Sequence, residues 1–322
     1  MTKPKPPDSR NKPIPPVAPA QMRHEPLPWQ FPKHPAEDPE APARIKAIQD
    51  NPSSRRADQD LEFLADYPLR GVRLEIDYQK AELLLEEHGV RNTIVVFGST
   101  RICEPAAARR TVETLKSALG HDPEDQELAH RLAVAERILA KSSYYDVARA
   151  FARLVSEANA TPAGPHCTIV TGGGPGIMEA ANRGAFDSGA ETVGFNISLP
   201  HEQYPNPYIT PGLCFNFHYF AMRKLHFLLR AKALVACPGG FGTFDELFEA
   251  LTLVQTRKMK PIPVVLVGES YWKNAVNMDF LVEEGVVARE DLDLFWYAET
   301  AEEVWDGIRH WYDKSGQPLS AF

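Results

Sequence analysis

Short apolar runs rich in β-branched residues alternate with longer amphipathic stretches over most of this chain. The first run, Thr93-Ile-Val-Val-Phe-Gly98, reads as a buried strand that ends in a turn at Gly98-Ser99-Thr100. Further strands are predicted at 167–171, 192–197, 213–217, 232–237, 263–267 and 294–297. Helices are predicted at 176–188, 219–231, 243–257, 270–284 and 299–313. Strict alternation of this kind predicts an α/β fold, a doubly wound parallel sheet with helices on both faces of Rossmann-like type.

The flanking segments read differently. Residues 1–43 hold 13 of the 28 prolines and no apolar period, which predicts a proline-rich disordered tail. Its Pro-x-x-Pro spacing at Pro13 and Pro16 also occurs by chance in such a composition. Residues 44–91 follow a helical pattern, with Leu61, Phe63, Leu64 and Tyr67 and then Ile76, Tyr78, Ala81, Leu83 and Leu84, and are expected to form an N-terminal helical extension. The main domain is expected over 92–314. Within it, 105–141 reads as a charged helical hairpin broken at Gly120-His-Asp-Pro123. Because it separates the first strand from the first packing helix (Tyr145 to Ala158), it is treated as an insertion.

Composition narrows the function classes. A formal charge of −8 without a dense basic stripe disfavours a nucleic-acid polymer as partner, although a small anion can still be held locally. No apolar stretch reaches the length of a membrane span, and the N-terminus has no apolar signal core, so no membrane partner and a cytoplasmic location are expected. Cys103, Cys167, Cys214 and Cys237 form no CxxC pair. They are expected to be buried reduced thiols, and no metal site is expected.

In a βαβ unit each strand delivers its loop, and each following helix begins, at the carboxyl edge of the sheet. Four unusual segments therefore share one edge: Gly98-Ser99-Thr100, Thr171-Gly-Gly-Gly-Pro-Gly176, the helix start Phe220-Ala-Met-Arg-Lys224, and Pro238-Gly-Gly-Phe-Gly-Thr-Phe-Asp-Glu246. The last is the most informative. Gly239, Gly240 and Gly242 let the backbone approach an anion, and the first amides of the following helix point at it with the positive end of the helix dipole. Glu246 would repel that anion, so it is expected to serve a neutral neighbour such as a ribose. Thr243 and Glu246 also fit a capping box, which needs no ligand. Against that, Glu246 is expected to leave the helix's core face (Phe244, Leu247, Phe248, Leu251) and to lie beside Ala250 and Leu253 on a second buried surface, either a ligand pocket or a subunit contact. Arg223 reads either as a functional cation or as a surface residue. The glycines 172, 173, 174 and 176 after Thr171 suggest close approach of a ligand, and Ser99 and Thr100 either close a turn or bond the ligand.

Other motifs do not fit. The third glycine of a Gly-x-Gly-x-x-Gly run counted from Gly172 is Ile177, and no acid ends the 192–197 strand, so NAD is disfavoured. A Walker loop and a Gly-x-Ser-x-Gly elbow are both missing. His218 and His226 are expected to be structural or surface residues.

Thr171-Gly-Gly-Gly-Pro-Gly-Ile-Met178, Met222-Arg-Lys224 and Pro238-Gly-Gly-Phe-Gly-Thr-Phe-Asp-Glu246, taken together, resemble the Lonely Guy (LOG) family of nucleoside 5′-monophosphate phosphoribohydrolases, often mislabelled lysine decarboxylases. The resemblance runs from about Thr93 to His310. It implies a Rossmann-like fold, a homodimer or larger homo-oligomer, and release of free base and ribose 5-phosphate from AMP-like or cytokinin nucleotides without metal or cofactor. The implied catalytic residues are Arg223 and Glu246. Phosphate and substrate contacts would fall on Gly98, Ser99, Thr171, Gly172, Gly173, Gly174, Gly176, Lys224, Gly239, Gly240, Gly242 and Thr243. Short family members usually carry Glu-Arg-Lys where this chain has Met222-Arg-Lys224, and they lack the 105–141 insertion, so this chain resembles a larger bacterial-type member. A carrier that binds a nucleotide or phosphorylated cofactor without turning it over is the alternative.

Overall fold

The computed structural model describes residues 26–161, 164–200 and 204–319. Most of the proline-rich segment expected to be a disordered tail lies outside these residues. The chain divides into two compact units, residues 1–70 and 71–322. In the first, α1 (Ala41–Asp50) and α2 (Leu61–Ala65) are joined by short 3₁₀ turns, and the Asp60 side chain caps α2 by accepting from the Phe63 amide. The helix α3 (Arg70–Glu87) leads into the second unit.

That unit holds a seven-stranded, all-parallel sheet in the order β4-β3-β2-β1-β5-β6-β7. The strands are β1 (Asn92–Phe97), β2 (Cys167–Thr171), β3 (Thr192–Ile197), β4 (Cys214–Phe217), β5 (Ala231–Ala236), β6 (Val264–Val267) and β7 (Trp296–Ala298). β1 and β3 are buried along their whole length, as the continuous apolar runs of a sheet covered on both faces require. The helices are α4 (Pro105–His121), α5 (Gln126–Lys141), α6 (Ser143–Asn159), α7 (Ile177–Asp187), α8 (Phe220–Leu229), α9 (Phe241–Gln255), α10 (Glu269–Ala275), α11 (Met278–Glu283) and α12 (Ala301–Ser315). One face of the sheet packs Ile94, Val96 and Ile169 against Phe151 and Val155 of α6, Ile177 and Ala181 of α7, and Val304 and Ile308 of α12. The other packs Val95, Val193 and Leu234 against Leu85 of α3, Phe227 of α8, Leu247 of α9 and Trp272 of α10. The expected Rossmann-like fold is therefore observed.

Two expectations change. The helix expected over 270–284 is two helices, because Asn277 starts a new one by accepting from the Phe280 amide. Of the four cysteines, all free, Cys167 and Cys237 are buried as expected, but Cys214 is exposed and Cys103 only half-buried. Cys214 lies on β4, the edge strand, where alternate residues face outward. The hairpin at 105–141 forms as expected. Val112 and Leu115 of α4 pack with Ala135, Leu128, Leu132 and Leu139 of α5 into a small core of its own.

Candidate active site at the sheet switch point

The strand order reverses between β1 and β5, and their loops diverge there to leave a crevice at the carboxyl edge, where ligands bind in open α/β sheets. The Ser99 amide donates to the Pro238 carbonyl at 2.9 Å and ties the two loops together. A cavity of about 670 Å³ opens above them. Gly98, Ser99, Gly172, Arg223, Gly239, Gly240, Gly242, Thr243 and Glu246, all expected at the site, line it. Thr171, Gly173, Gly174, Gly176 and Lys224 do not appear in its wall.

The glycine-rich loop after β5 ends at Gly240, which precedes the first turn of α9 without any side-chain cap. Thr243 is therefore the third residue inside the helix, and the capping-box alternative is overturned. The Thr243 and Phe244 amides donate to the Gly240 carbonyl, and the first two helical amides, of Phe241 and Gly242, have no acceptor within the helix and sit at the positive end of its dipole. A Cβ at Gly240 or Gly242 would meet nothing within 4 Å. Tyr271, from α10, supports the loop by donating its hydroxyl to the Gly239 carbonyl.

Glu246 lies one turn further along α9 and is only 6% exposed. The buried stripe of α9 is Thr243, Glu246, Leu247, Ala250 and Val254, whereas Phe244, Phe248 and Leu251 are half-buried. Phe244, Leu247 and Leu251 nevertheless pack into the core on the α9 face of the sheet, as expected, whereas Phe248 does not join it, and the buried Glu246 lines the cavity, the ligand-pocket alternative of the second surface. Burial pushes the Glu246 carboxyl up to about 7, against the opposing pull of Lys224 and Arg223. Among the described residues, that carboxylate accepts no hydrogen bond and forms no ion pair.

Arg223, in the second turn of α8, reaches over the end of β3. Its Nε donates to the Phe195 carbonyl at 2.6 Å, an Nη to the Gly172 carbonyl at 3.5 Å, and the guanidinium lies 5.2 Å from the centre of the Phe227 ring. Burial pulls it below its ordinary value and the Glu246 charge opposes that fall. These bonds to the fold overturn the surface-residue alternative. Lys224 turns away and pairs with Asp245 at 2.9 Å and Glu249 at 3.1 Å.

The loop after β2 is shaped from within. A Cβ at Gly173, Gly174 or Gly176 would run into Asn196, Met178 or the Ser99–Thr100 backbone respectively. Gly176 also adopts φ 73°, which a residue with a side chain rarely takes. Beneath it, a buried polar cluster fixes the turn. Thr171 Oγ1 donates to Asn182 Oδ1 at 2.6 Å, Asn182 Nδ2 donates to Thr192 Oγ1 at 2.6 Å, and Asn206 Nδ2 donates to the Gly174 carbonyl at 3.1 Å. His226 is buried, with Nδ1 donating to the Met222 carbonyl at 2.7 Å and Nε2 3.3 Å from Glu82, whereas His218 is exposed. Neither histidine lines the cavity.

Sequence reasoning missed several wall residues: Arg101, Ile102, Met178, Leu199, Phe220 and Tyr271, together with Val134, Ile138 and Lys141 of α5. Only the spacing of Val134, Ile138 and Lys141, three residues on one helix face, was visible in advance as a signal. Among the described residues, no group of three His, Cys, Asp or Glu side chains is placed to hold a metal ion, and no helix is long and apolar enough to cross a membrane.

Fold and site define a Rossmann-like α/β protein whose switch-point crevice sets a helix N-terminus beside a buried acid and an anchored arginine. A family model described as possible lysine decarboxylase matches residues 178–308. A probable cytokinin riboside 5′-monophosphate phosphoribohydrolase of Oryza sativa subsp. japonica is 27% identical over 155 residues, 44% of this chain and 68% of that protein. Two cytokinin riboside 5′-monophosphate phosphoribohydrolases of Arabidopsis thaliana are 29% and 28% identical over 152 and 168 residues, which cover 46% and 51% of this chain and 67% and 74% of theirs. Over about half its length the chain is thus similar, at 27–29% identity, to proteins of the Lonely Guy family. Among solved structures, an X-ray structure of TM1055 aligns with 68% of this chain and 99% of its own at 20% identity and a TM-score of 0.41. A molybdenum cofactor binding protein from Rippkaea orientalis aligns with 52% and 86% at 20% identity and a TM-score of 0.36.

Proposed function

We propose that the chain is a nucleoside 5′-monophosphate phosphoribohydrolase. One observation carries this reading: the buried Glu246 carboxylate, unpartnered among the described residues, faces the same cavity as the open amide end of α9. The phosphate monoester sits on the amides around Gly239–Thr243 and fixes the ribose beside Glu246, which supplies remote binding energy for positioning. Water attacks C1′, the new C1′–O bond replaces the C1′–N bond, and the departing base takes up a proton. Glu246 removes the proton from the attacking water and opposes the positive charge that grows on the ring. Arg223 supplies the opposite charge where the phosphate or the departing base needs it.

The test is incubation of the protein with AMP, GMP, CMP, UMP and isopentenyl-adenosine monophosphate, followed by separation of free base. Base and ribose 5-phosphate in equal amounts, lost in Glu246→Gln, are expected. Binding of a monophosphate without base release would replace the enzyme by a nucleotide carrier.

A further inference from the structure

The cavity wall is unevenly charged. Its two acids, Asp245 and Glu246, both stand on α9. The part of the wall built from the loop after β1 and from α5 carries only cations, Arg101 and Lys141. Among the described residues neither is ion-paired; Lys141 Nζ donates to the Arg137 carbonyl of its own helix at 3.1 Å. The same part of the wall also holds aliphatic side chains, buried Ile102 and half-buried Val134 and Ile138. The hairpin is thereby two-sided: Leu128, Leu132, Ala135 and Leu139 hold α5 against α4, while Val134, Ile138 and Lys141 are given to the cavity.

We propose that the inserted hairpin is the base-recognition wall of this site and that Lys141 selects nucleotides of 6-oxopurines, such as GMP and IMP, over those of adenine. This rests on the phosphoribohydrolase reading. With the phosphate on α9 and the ribose at Glu246, the base is left to the part of the cavity that the hairpin lines. Ile102, Val134 and Ile138 cover its face, as aliphatic side chains do in small-molecule sites. A lysine offers donors only, and a 6-oxopurine edge presents two acceptors, O6 and N7. Adenine sets its N6 amino donors against the ammonium instead.

The experiment measures kcat/KM for base release from GMP, IMP and AMP by the full chain and by Lys141→Met and Lys141→Arg, with calorimetric Kd values for the same nucleotides and for ADP and GDP. The expected results are a preference of about tenfold or more for GMP and IMP over AMP, its collapse to within about twofold in Lys141→Met, and its retention in Lys141→Arg. Equal or better use of AMP, or an unchanged ratio in Lys141→Met, overturns the proposal. Tightening by the extra phosphate of both ADP and GDP, lost in Lys141→Met, overturns it in favour of an anion subsite. If no nucleotide is hydrolysed, the enzyme reading fails by itself, and the ratio of Kd values still decides the base preference.

Discussion

Arg223 occupies the space that a side chain at Gly172 would need: a Cβ there would stand 2.5 Å from an Arg223 Nη. The same nitrogen donates to the Gly172 carbonyl, so the glycine both makes room for the guanidinium and anchors it. The colliding atom is the end of a flexible side chain, so Gly172→Ala is expected to fold normally and to displace Arg223. Misplacing a charge-bearing group by about an ångström costs ~10²-fold in rate. A kcat/KM within twofold of wild type, at an unchanged melting temperature, would remove Arg223 from the reaction.

The raised Glu246 carboxyl sets a pH dependence with a definite sign. Burial favours the protonated form in the folded chain, so between the ordinary carboxylate value of 4.5 and about 7 the folded state holds a proton that the unfolded state has released. The contribution of this group to stability therefore falls as pH rises through that window. Glu246→Gln is expected to gain in denaturation midpoint over wild type at pH 8 and to lose that gain near pH 4. As a base, the same group must be ionised, so kcat/KM is expected to rise with pH and level off above about 7. Parallel midpoints at both pH values would contradict the burial argument.

Neighbouring glycines of the loop after β5 are expected to behave differently. A Cβ at Gly239 would strike the Thr243 hydroxyl, whereas one at Gly240 meets open cavity. Gly239→Ala is expected to lower the melting temperature. Gly240→Ala is expected to leave it unchanged while raising the Kd for phosphate monoesters ~10-fold, since the methyl would project into the proposed anion position. Calorimetry with AMP and GMP, alongside a thermal melt, separates the two effects.

Asn182 is fully buried and bonds three of the segments that frame the loop after β2. Asn182→Ala leaves Thr171, Thr192 and Asn206 short of partners in a dry interior, a loss of ~2 kcal/mol or more. A urea midpoint unchanged from wild type would show that the cluster contributes nothing net.

The parallel sheet was legible because both faces of every central strand are covered, which forces uninterrupted apolar runs such as Thr93–Phe97 and Ala233–Cys237. The loops were legible because glycine clusters at strand ends are rare without cause. Their causes were not. Glycines 173 and 176 are explained by Asn196 and the Ser99–Thr100 backbone, partners remote in sequence, whereas Gly174 makes room for Met178 of the helix that follows.

Local chemistry, written in consecutive residues, thus determined the strands, most of the helices and the glycine-rich turn ahead of Glu246. Tertiary structure alone decided that Arg223 is anchored on carbonyls of β3 and of the loop after β2, that Lys224 pairs with Asp245 and Glu249, and that α5 supplies part of the cavity wall. Periodicity records which face of an element is apolar. It carries no record of which distant surface that face will meet, because the free energy that settles the matter arises only when the two are packed together.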